Sequence, residues 1–182
     1  MKTAIVILNW HCQKLLEQFV PSIVNFSANE AAIYVADNAS TDASIAFVKE
    51  FFPSVNIVEN GVNGGYAKGY NDALQFIEAD IYCLINSDVA VTKNWLPPIL
   101  EVFKKEKNTA IIQPKILDFK EQTKFEYAGA GGVFIDLYGY PYCRGRLFNH
   151  LEVDATQFNE VADIFWAAWA CFFIRAGVFD HL

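Results

Sequence analysis

The sequence predicts an α/β domain built on a mostly parallel, doubly wound sheet with helices on both faces. Three observations carry that prediction. Aliphatic runs of strand length recur through the first half of the chain, segments with helical spacing fill the gaps between them, and polar or acidic clusters follow the strand ends. Strands separated by helices return by crossover connections, which makes neighbouring strands parallel.

The elements follow in order. Ala4 to Leu8 is an unbroken aliphatic run, as expected of a strand buried on both faces. Leu15, Leu16, Phe19, Val20, Ile23 and Val24 recur at helical spacing, with Pro21 expected to kink or divide that helix. Ile33 to Ala36 reads as a second strand ending at Asp37, and Ser40 or Thr41 as the cap of a helix carrying Ile45, Phe47, Val48 and Phe51. Val55 to Val58 is a third strand. The loop NGVNGG and a helix from about Tyr66 to Ile77 come next. Ile81 to Ile85 is a fourth strand, and Trp95 to Phe103 a helix whose Pro pair suits the first turn. Beyond AIIQP, glycines and aromatics from Tyr127 to Tyr142 show no helical period, so irregular strands and loops over one end of the sheet are expected. The apolar run Ile164 to Ile174 is too short to span a bilayer and reads as a buried strand preceded by an aromatic loop.

Composition narrows the classes of function. A chain of 182 residues, 53% hydrophobic and 19% charged, builds one globular domain with a substantial core. Its net charge is −7 and it lacks a dense Lys/Arg stripe, which argues against a nucleic-acid partner. Cys12, Cys83, Cys143 and Cys171 are dispersed, as free thiols in a reducing compartment would be, and they lack the spacing of a zinc site. The N-terminal apolar run is shorter than a signal-peptide core, and no 18-residue apolar stretch occurs, so a cytoplasmic protein without a transmembrane segment is expected.

In open α/β sheets, ligands bind beyond the carboxyl ends of the strands. Asn9, the cluster Asp37-Asn38-Ala39-Ser40-Thr41-Asp42, and Asn86-Ser87-Asp88 all fall at such ends. Asn86 and Asp88, two apart on an extended segment, point the same way. Asp88 is either an oxygen ligand for Mg²⁺ or Mn²⁺, or a cap of the following turn. Asp37 and Asp42 suit a base N–H or ribose hydroxyl, with helix capping as the alternative for Asp42. Asn60, Asn63, Gly64 and Gly65 make a turn-rich loop, and Lys68 lies in the following helix's first turn, a poor place for a cation without an anion nearby. His11, His150 and His181 show no ligand spacing and receive no role. Arg144-Gly145-Arg146 reads as a solvated loop, with contact to phosphate or acceptor as the alternative. Trp166 and Trp169 read as core or interface, with stacking on a sugar ring as the alternative.

The ordered motifs AIVILNW, DNASTD, NGGYAKGYN and LINSD resemble family 2 glycosyltransferases, particularly the bacterial rhamnosyltransferase-like group; AGAGGVFID and ACFFIRAGVF match more loosely. The resemblance implies a GT-A fold and an inverting transfer of sugar from a nucleotide-diphospho-sugar to a hydroxyl of a saccharide or lipid-linked glycan. It places Asn9 beside the nucleotide, with Asp37 on the base and Asn38 and Asp42 near it. Asn63, Gly64, Gly65 and Lys68 would close over the donor. Asn86-Ser87-Asp88 stands where the family has its DxD-type motif, with Asp88 on a divalent ion and Asn in place of the first Asp. On this reading residues 1–182 form a single domain, with 1–115 the donor half and 116–182 the start of an acceptor half. The family's catalytic base lies in an acidic motif expected beyond Leu182, so the chain is expected to bind donor and to transfer sugar poorly. A role in cell-surface polysaccharide synthesis, with peripheral contact at the inner face of the membrane, is implied in the same way. The rivals are a sugar nucleotidyltransferase, disfavoured because Asn9-Trp10-His11 is neither glycine-rich nor basic, and a non-catalytic nucleotide-binding or scaffold module. An NAD-dependent oxidoreductase is disfavoured by the absence of a GxGxxG fingerprint.

Overall fold

A computed structural model describes residues 1–127 and 130–181. The TAIVILN run forms β1 (Thr3–Asn9) at the middle of the main sheet. It pairs in parallel with β2 (Ala32–Asp37) on one side and β4 (Ile81–Asn86) on the other. β3 (Asn56–Glu59) extends the sheet beyond β2, also in parallel. Beyond β4 lies β10 (Cys171–Arg175), antiparallel both to β4 and to the two-residue β5 (Ile111–Ile112), giving the order β3-β2-β1-β4-β10-β5. The sheet is therefore mostly parallel, and the late strand β10 is its antiparallel insertion.

Alternation along β1 sorts its side chains between two cores. Ile5 and Ile7 are fully buried against α1 (Gln13–Ser27), α2 (Ser44–Phe51) and α4 (Leu96–Lys105) through Leu16, Val20, Val48, Leu96 and Phe103. Ala4 and Val6 face α3 (Gly65–Leu74) through Tyr70, Ala73 and Leu74, with Leu84 and Ile174 beside them. Burying each large aliphatic side chain contributes about 1.5–3 kcal/mol, so the apolar strands hold both layers on the sheet. The short α5 (Ala176–Phe179) follows β10, and Phe179 meets Tyr82 edge to face.

Local readings change in two places. α1 runs unbroken through Pro21. The proline removes one bond, to the carbonyl of Glu17, and Glu17 is exposed, so water can replace the lost donor. α2 begins at Ser44, later than a cap at Ser40 or Thr41 would place it. The reason is local: the Asp42 carboxylate receives the Ser44 N–H and hydroxyl, at 3.2 and 2.5 Å, while Ser40 is engaged elsewhere. The run Ile164 to Ile174 ends in a buried strand after an aromatic loop, as expected; Trp166 and Trp169 sit in that loop and are exposed, so they do not belong to the core.

The glycine- and aromatic-rich segment makes a small antiparallel sheet, β6 (Val133–Ile135), β7 (Pro141–Cys143), β8 (Arg146–Leu147) and β9 (His150–Leu151). Gly145, at φ +86°, turns β7 into β8, and a Cβ there would run into the fully buried Phe125 ring. The flanking arginines are structural. Arg144 lies over Phe134 at 4.4 Å, and Arg146 donates to the carbonyls of Phe148 and Tyr127. Among the described residues, no helix is long and apolar enough to cross a membrane.

Candidate functional site

The strand order reverses between β1 and β4, because the chain moves outward through β2 and β3 and then returns to the other side of β1. Such a switch point leaves a crevice beyond the strand ends. Pairing fixes what stands there: Asn9 lies opposite Asp37, and Leu8 opposite Asn86.

Asn9 does not open into that crevice. It is fully buried, and its amide nitrogen lies 2.8 Å from Asp37 Oδ1, 2.8 Å from Ser44 Oγ and 3.1 Å from Ser40 Oγ. Asp37, also buried, receives the Ser40 N–H on its second oxygen at 2.9 Å. Asp42 binds the first turns of two helices at once, through the Gln13 N–H at 3.4 Å and the Ser44 N–H. Burial opposes its ionisation, but the Ser44 and Gln13 hydrogen bonds outweigh it and hold the carboxyl below the usual range. His11, given no role above, is part of this rim. Its φ is +55°, its Nε2 accepts the Thr41 N–H at 2.9 Å, and its ring stacks on Trp10 at 4.9 Å. Asn9, Asp37 and Asp42 thus form a scaffold that fixes the strand ends and leaves Trp10 exposed at the crevice.

A second polar group adjoins it. The Asn38 amide donates to Asn63 Oδ1 at 2.7 Å and to the Gly65 carbonyl at 3.1 Å, and its oxygen accepts from Asn60. Asn63 Oδ1 also receives the Gly65 N–H at 2.9 Å, closing a turn that places Gly65 at φ +83°. Lys68 turns away from the crevice to Asp72, one helical turn on, at 2.6 Å, and a side chain at Gly64 would collide with its methylenes. The anion that its position called for is therefore its own helix neighbour.

Two clefts meet at the end of β4. The smaller, about 420 Å³, is lined by Trp10, Asn38, Asn63, Gly65, Tyr66 and the Asn86-Ser87-Asp88 segment. The larger, about 840 Å³, shares Asn86 and Asp88 and runs along Trp95, Lys115, Phe119, Trp166 and Trp169. Asp88 is exposed between them. Of the residues singled out by sequence, Asn38, Asn63, Gly65, Asn86, Ser87 and Asp88 line the smaller cleft; Asn9, Asp37, Asp42, Gly64 and Lys68 line neither.

Sequence reasoning missed Tyr66, beyond marking a helix start. Its hydroxyl is 2.9 Å from Asn86 Oδ1 and 2.8 Å from the Trp169 carbonyl oxygen, and it lines the smaller cleft. Burial, with the charge of Asp88 as a smaller contribution, pushes its pKa up to about 12, so it remains a donor at neutral pH. Its place on the first turn of the helix after NGG was the only signal in the sequence.

The donor set is informative about metals. Among the described residues no three His, Cys, Asp or Glu side chains cluster. Asp88, Ser87 and Asn86 offer oxygen atoms on one short segment, and no Lys or Arg lines the smaller cleft. That set fits a hard divalent ion that takes most of its ligands from phosphate and water, and not an ion held by protein alone.

A family description, glycosyl transferase family 2, matches residues 4–180. The chain belongs to that family. Its fold is GT-A, shared with the mannosyltransferase PcManGT from Pyrobaculum calidifontis, solved in complex with GDP-Man and Mn²⁺, at TM-score 0.57 and 17% identity over 64% of this chain and 36% of that one. It is likewise similar to TarS 1-349 of S. aureus in complex with UDP-GlcNAc, at TM-score 0.59 and 19% identity over 70% of this chain and 39% of that one. The family 2 chain described here thus spans well under half the length of these neighbours. No curated protein sequence matches it.

Proposed function

We propose that this chain carries the donor site of an inverting glycosyltransferase, with a nucleotide-diphospho-sugar in the smaller cleft and an acceptor in the larger. The observation that carries this reading is the meeting of the two clefts at Asn86 and Asp88, beyond the C-terminal ends of β1 and β4. A donor and an acceptor must bring two atoms within bonding reach, so their sites have to share a wall. Similar folds that hold GDP-Man with Mn²⁺ and UDP-GlcNAc support the choice of ligand class.

In this reading Trp10 offers a flat face to the base at the mouth of the cleft, and the Asn38–Asn63–Gly65 cluster shapes the wall opposite. Asp88, with Ser87 and Asn86 beside it, would hold Mg²⁺ or Mn²⁺. Such an ion would stabilise the charge that develops on a departing diphosphate, a task for which the smaller cleft has no basic side chain of its own. The buried Asn9–Asp37–Ser40 scaffold keeps these groups fixed, so little reorganisation accompanies binding. The acceptor hydroxyl would enter beside Trp169, give its proton to a carboxylate base and attack the anomeric carbon opposite the diphosphate; the bond to the diphosphate breaks with its electron pair leaving on the diphosphate, and the anomeric centre inverts. Resemblance to the rhamnosyltransferase-like group supports a cytoplasmic role in cell-surface glycan synthesis, with a saccharide or lipid-linked acceptor.

Calorimetric titration with UDP, GDP and dTDP, each with and without Mn²⁺, tests the site. The expected result is metal-dependent binding of one nucleotide, weakened at least about tenfold, or 1.4 kcal/mol, by Asp88→Ala. Silence from all three in a folded sample, or binding indifferent both to metal and to Asp88→Ala, would overturn it.

A further inference from the structure

Tyr66 lines the smaller cleft, and its one hydroxyl hydrogen faces two acceptors, on Asn86, which both clefts share, and on Trp169, which lines the larger. The oxygens of Asn86 and Trp169 lie at 2.9 and 2.8 Å from the hydroxyl oxygen, yet a phenol has a single hydrogen to donate. At any moment one bond is weak or both are shared. The ring is packed on two sides. It meets Tyr70 edge to face at 5.0 Å, and Tyr70 is buried with its own hydroxyl bonded to the Ile85 carbonyl at 3.0 Å. On the other side it meets the Trp169 ring at 5.6 Å. Trp169 is 61% exposed, and besides Tyr66 its ring meets Phe172 edge to face at 6.2 Å. The backbone on either side is tied down, by the Ala168 N–H to Gln113 at 2.6 Å and by the Asn86 N–H to the Ala170 carbonyl at 2.9 Å. Tyr66 ties the residue between them.

We propose that Tyr66 is a positioning residue, whose hydroxyl proton is divided between Asn86 and Trp169 in the free protein and passes wholly to the Trp169 carbonyl when a ligand claims the Asn86 oxygen. The second half of this proposal rests on the smaller cleft being the nucleotide site. Asn86 adjoins both clefts, and a cation or sugar hydroxyl beside Asp88 draws on the same lone pairs that now accept from Tyr66. Once that acceptor is taken, the Tyr66–Trp169 bond is no longer shared. Filling the smaller cleft thereby tightens the hold on the backbone of Trp169, whose indole lines the larger one.

The test uses the chain labelled with 5-fluorotryptophan, which gives one ¹⁹F resonance for each of its four tryptophans. Trp169→Phe and Trp10→Phe assign two of them. Trp10 reports occupancy of the smaller cleft, and Trp169 reports the tie. Adding the nucleotide found by calorimetry, with Mg²⁺, should move both resonances in the wild type. Tyr66→Phe keeps the ring and removes only the hydroxyl. It should broaden or displace the Trp169 resonance without ligand and abolish its response to nucleotide. The Trp10 response should persist. Asn86→Ala, which leaves the proton a single acceptor, should bring the ligand-free Trp169 resonance toward its ligand-bound position. If Trp169 behaves in Tyr66→Phe as in the wild type, with and without nucleotide, the tie is refuted. If Trp10 and calorimetry are both silent in the wild type, the nucleotide reading fails and the coupling with it. The ligand-free comparison of Tyr66→Phe with wild type then still decides whether the tie exists. An unchanged thermal midpoint in Tyr66→Phe separates loss of the tie from loss of fold.

Discussion

Asn9→Ala separates a scaffold from a ligand contact. The Asn9 amide is buried without exposure and makes two short bonds, to the Asp37 carboxylate and to Ser44 Oγ, both at 2.8 Å. Losing a bond to a charged group costs about 1.5–3 kcal/mol and a neutral one about 0.5–1.5 kcal/mol. One relief acts in the other direction: Asn9 Oδ1 is buried without a partner, and deleting it returns about 1 kcal/mol. The net expectation is about 2–3 kcal/mol of destabilisation, most of it from the carboxylate left with a missing donor. With a urea dependence of about 2 kcal/mol/M, the unfolding midpoint should fall by roughly 1–1.5 M. Equilibrium urea denaturation followed by circular dichroism measures this. A midpoint lowered by less than about 0.3 M, with nucleotide binding lost, would refute the scaffold role and return Asn9 to the ligand. Asn9→Asp sharpens the contrast. It sets a second buried carboxylate against Asp37 in place of the amide donor, so at neutral pH it should lower the urea midpoint further than Asn9→Ala does.

Further outcomes follow from individual contacts. Asp42 titrates lower in the folded chain than the ordinary value of 3.8, so its contribution is present above that pH and lost as pH falls through the folded value. Asp42→Asn should therefore flatten the acid limb of a stability–pH profile, and an unchanged limb would contradict the double helix-capping role. Gly145→Ala should cost about 3 kcal/mol or more, because it combines a left-handed backbone with a collision against Phe125; thermal unfolding measures it. Gly65→Ala meets nothing within 4 Å and should cost only the strain of φ +83°, about 1–2 kcal/mol. With a thiol reagent, Cys12 should react first in the native chain, and Cys143 slowly, since burial raises its pKa. Cys83 and Cys171 are buried 3.9 Å apart and burial pushes the Cys83 thiol up, so both should react only on unfolding; four fast thiols in the native state would contradict this.

Much of the fold is legible in the sequence because its signals are local and periodic. The run TAIVILN is apolar on both faces and can only be a central strand, and the helical spacing of Leu16, Phe19, Val20 and Ile23 names the face that covers it. The polar endings DNAS and NSD mark the rim for the same reason, since an apolar strand has to stop where the sheet meets water. Asp88 and its neighbours at the edge of both clefts follow from that rule. The sequence does not disclose how the rim residues divide their hydrogen bonds. Asn9 and Asp37 read like ligand contacts, but the parallel register sets them side by side, where they satisfy each other. Lys68 reads as a cation in want of an anion at the start of its helix, and the helix itself brings Asp72 within reach. Tyr66 gains its place from Trp169, 103 residues further along, and Trp169 owes its own place to β10 inserting antiparallel beside β4. Composition and period thus determined the layers and the rim. Which polar groups face inward and which remain open to a ligand depends on partners distant in sequence, and only the folded chain brings those partners together.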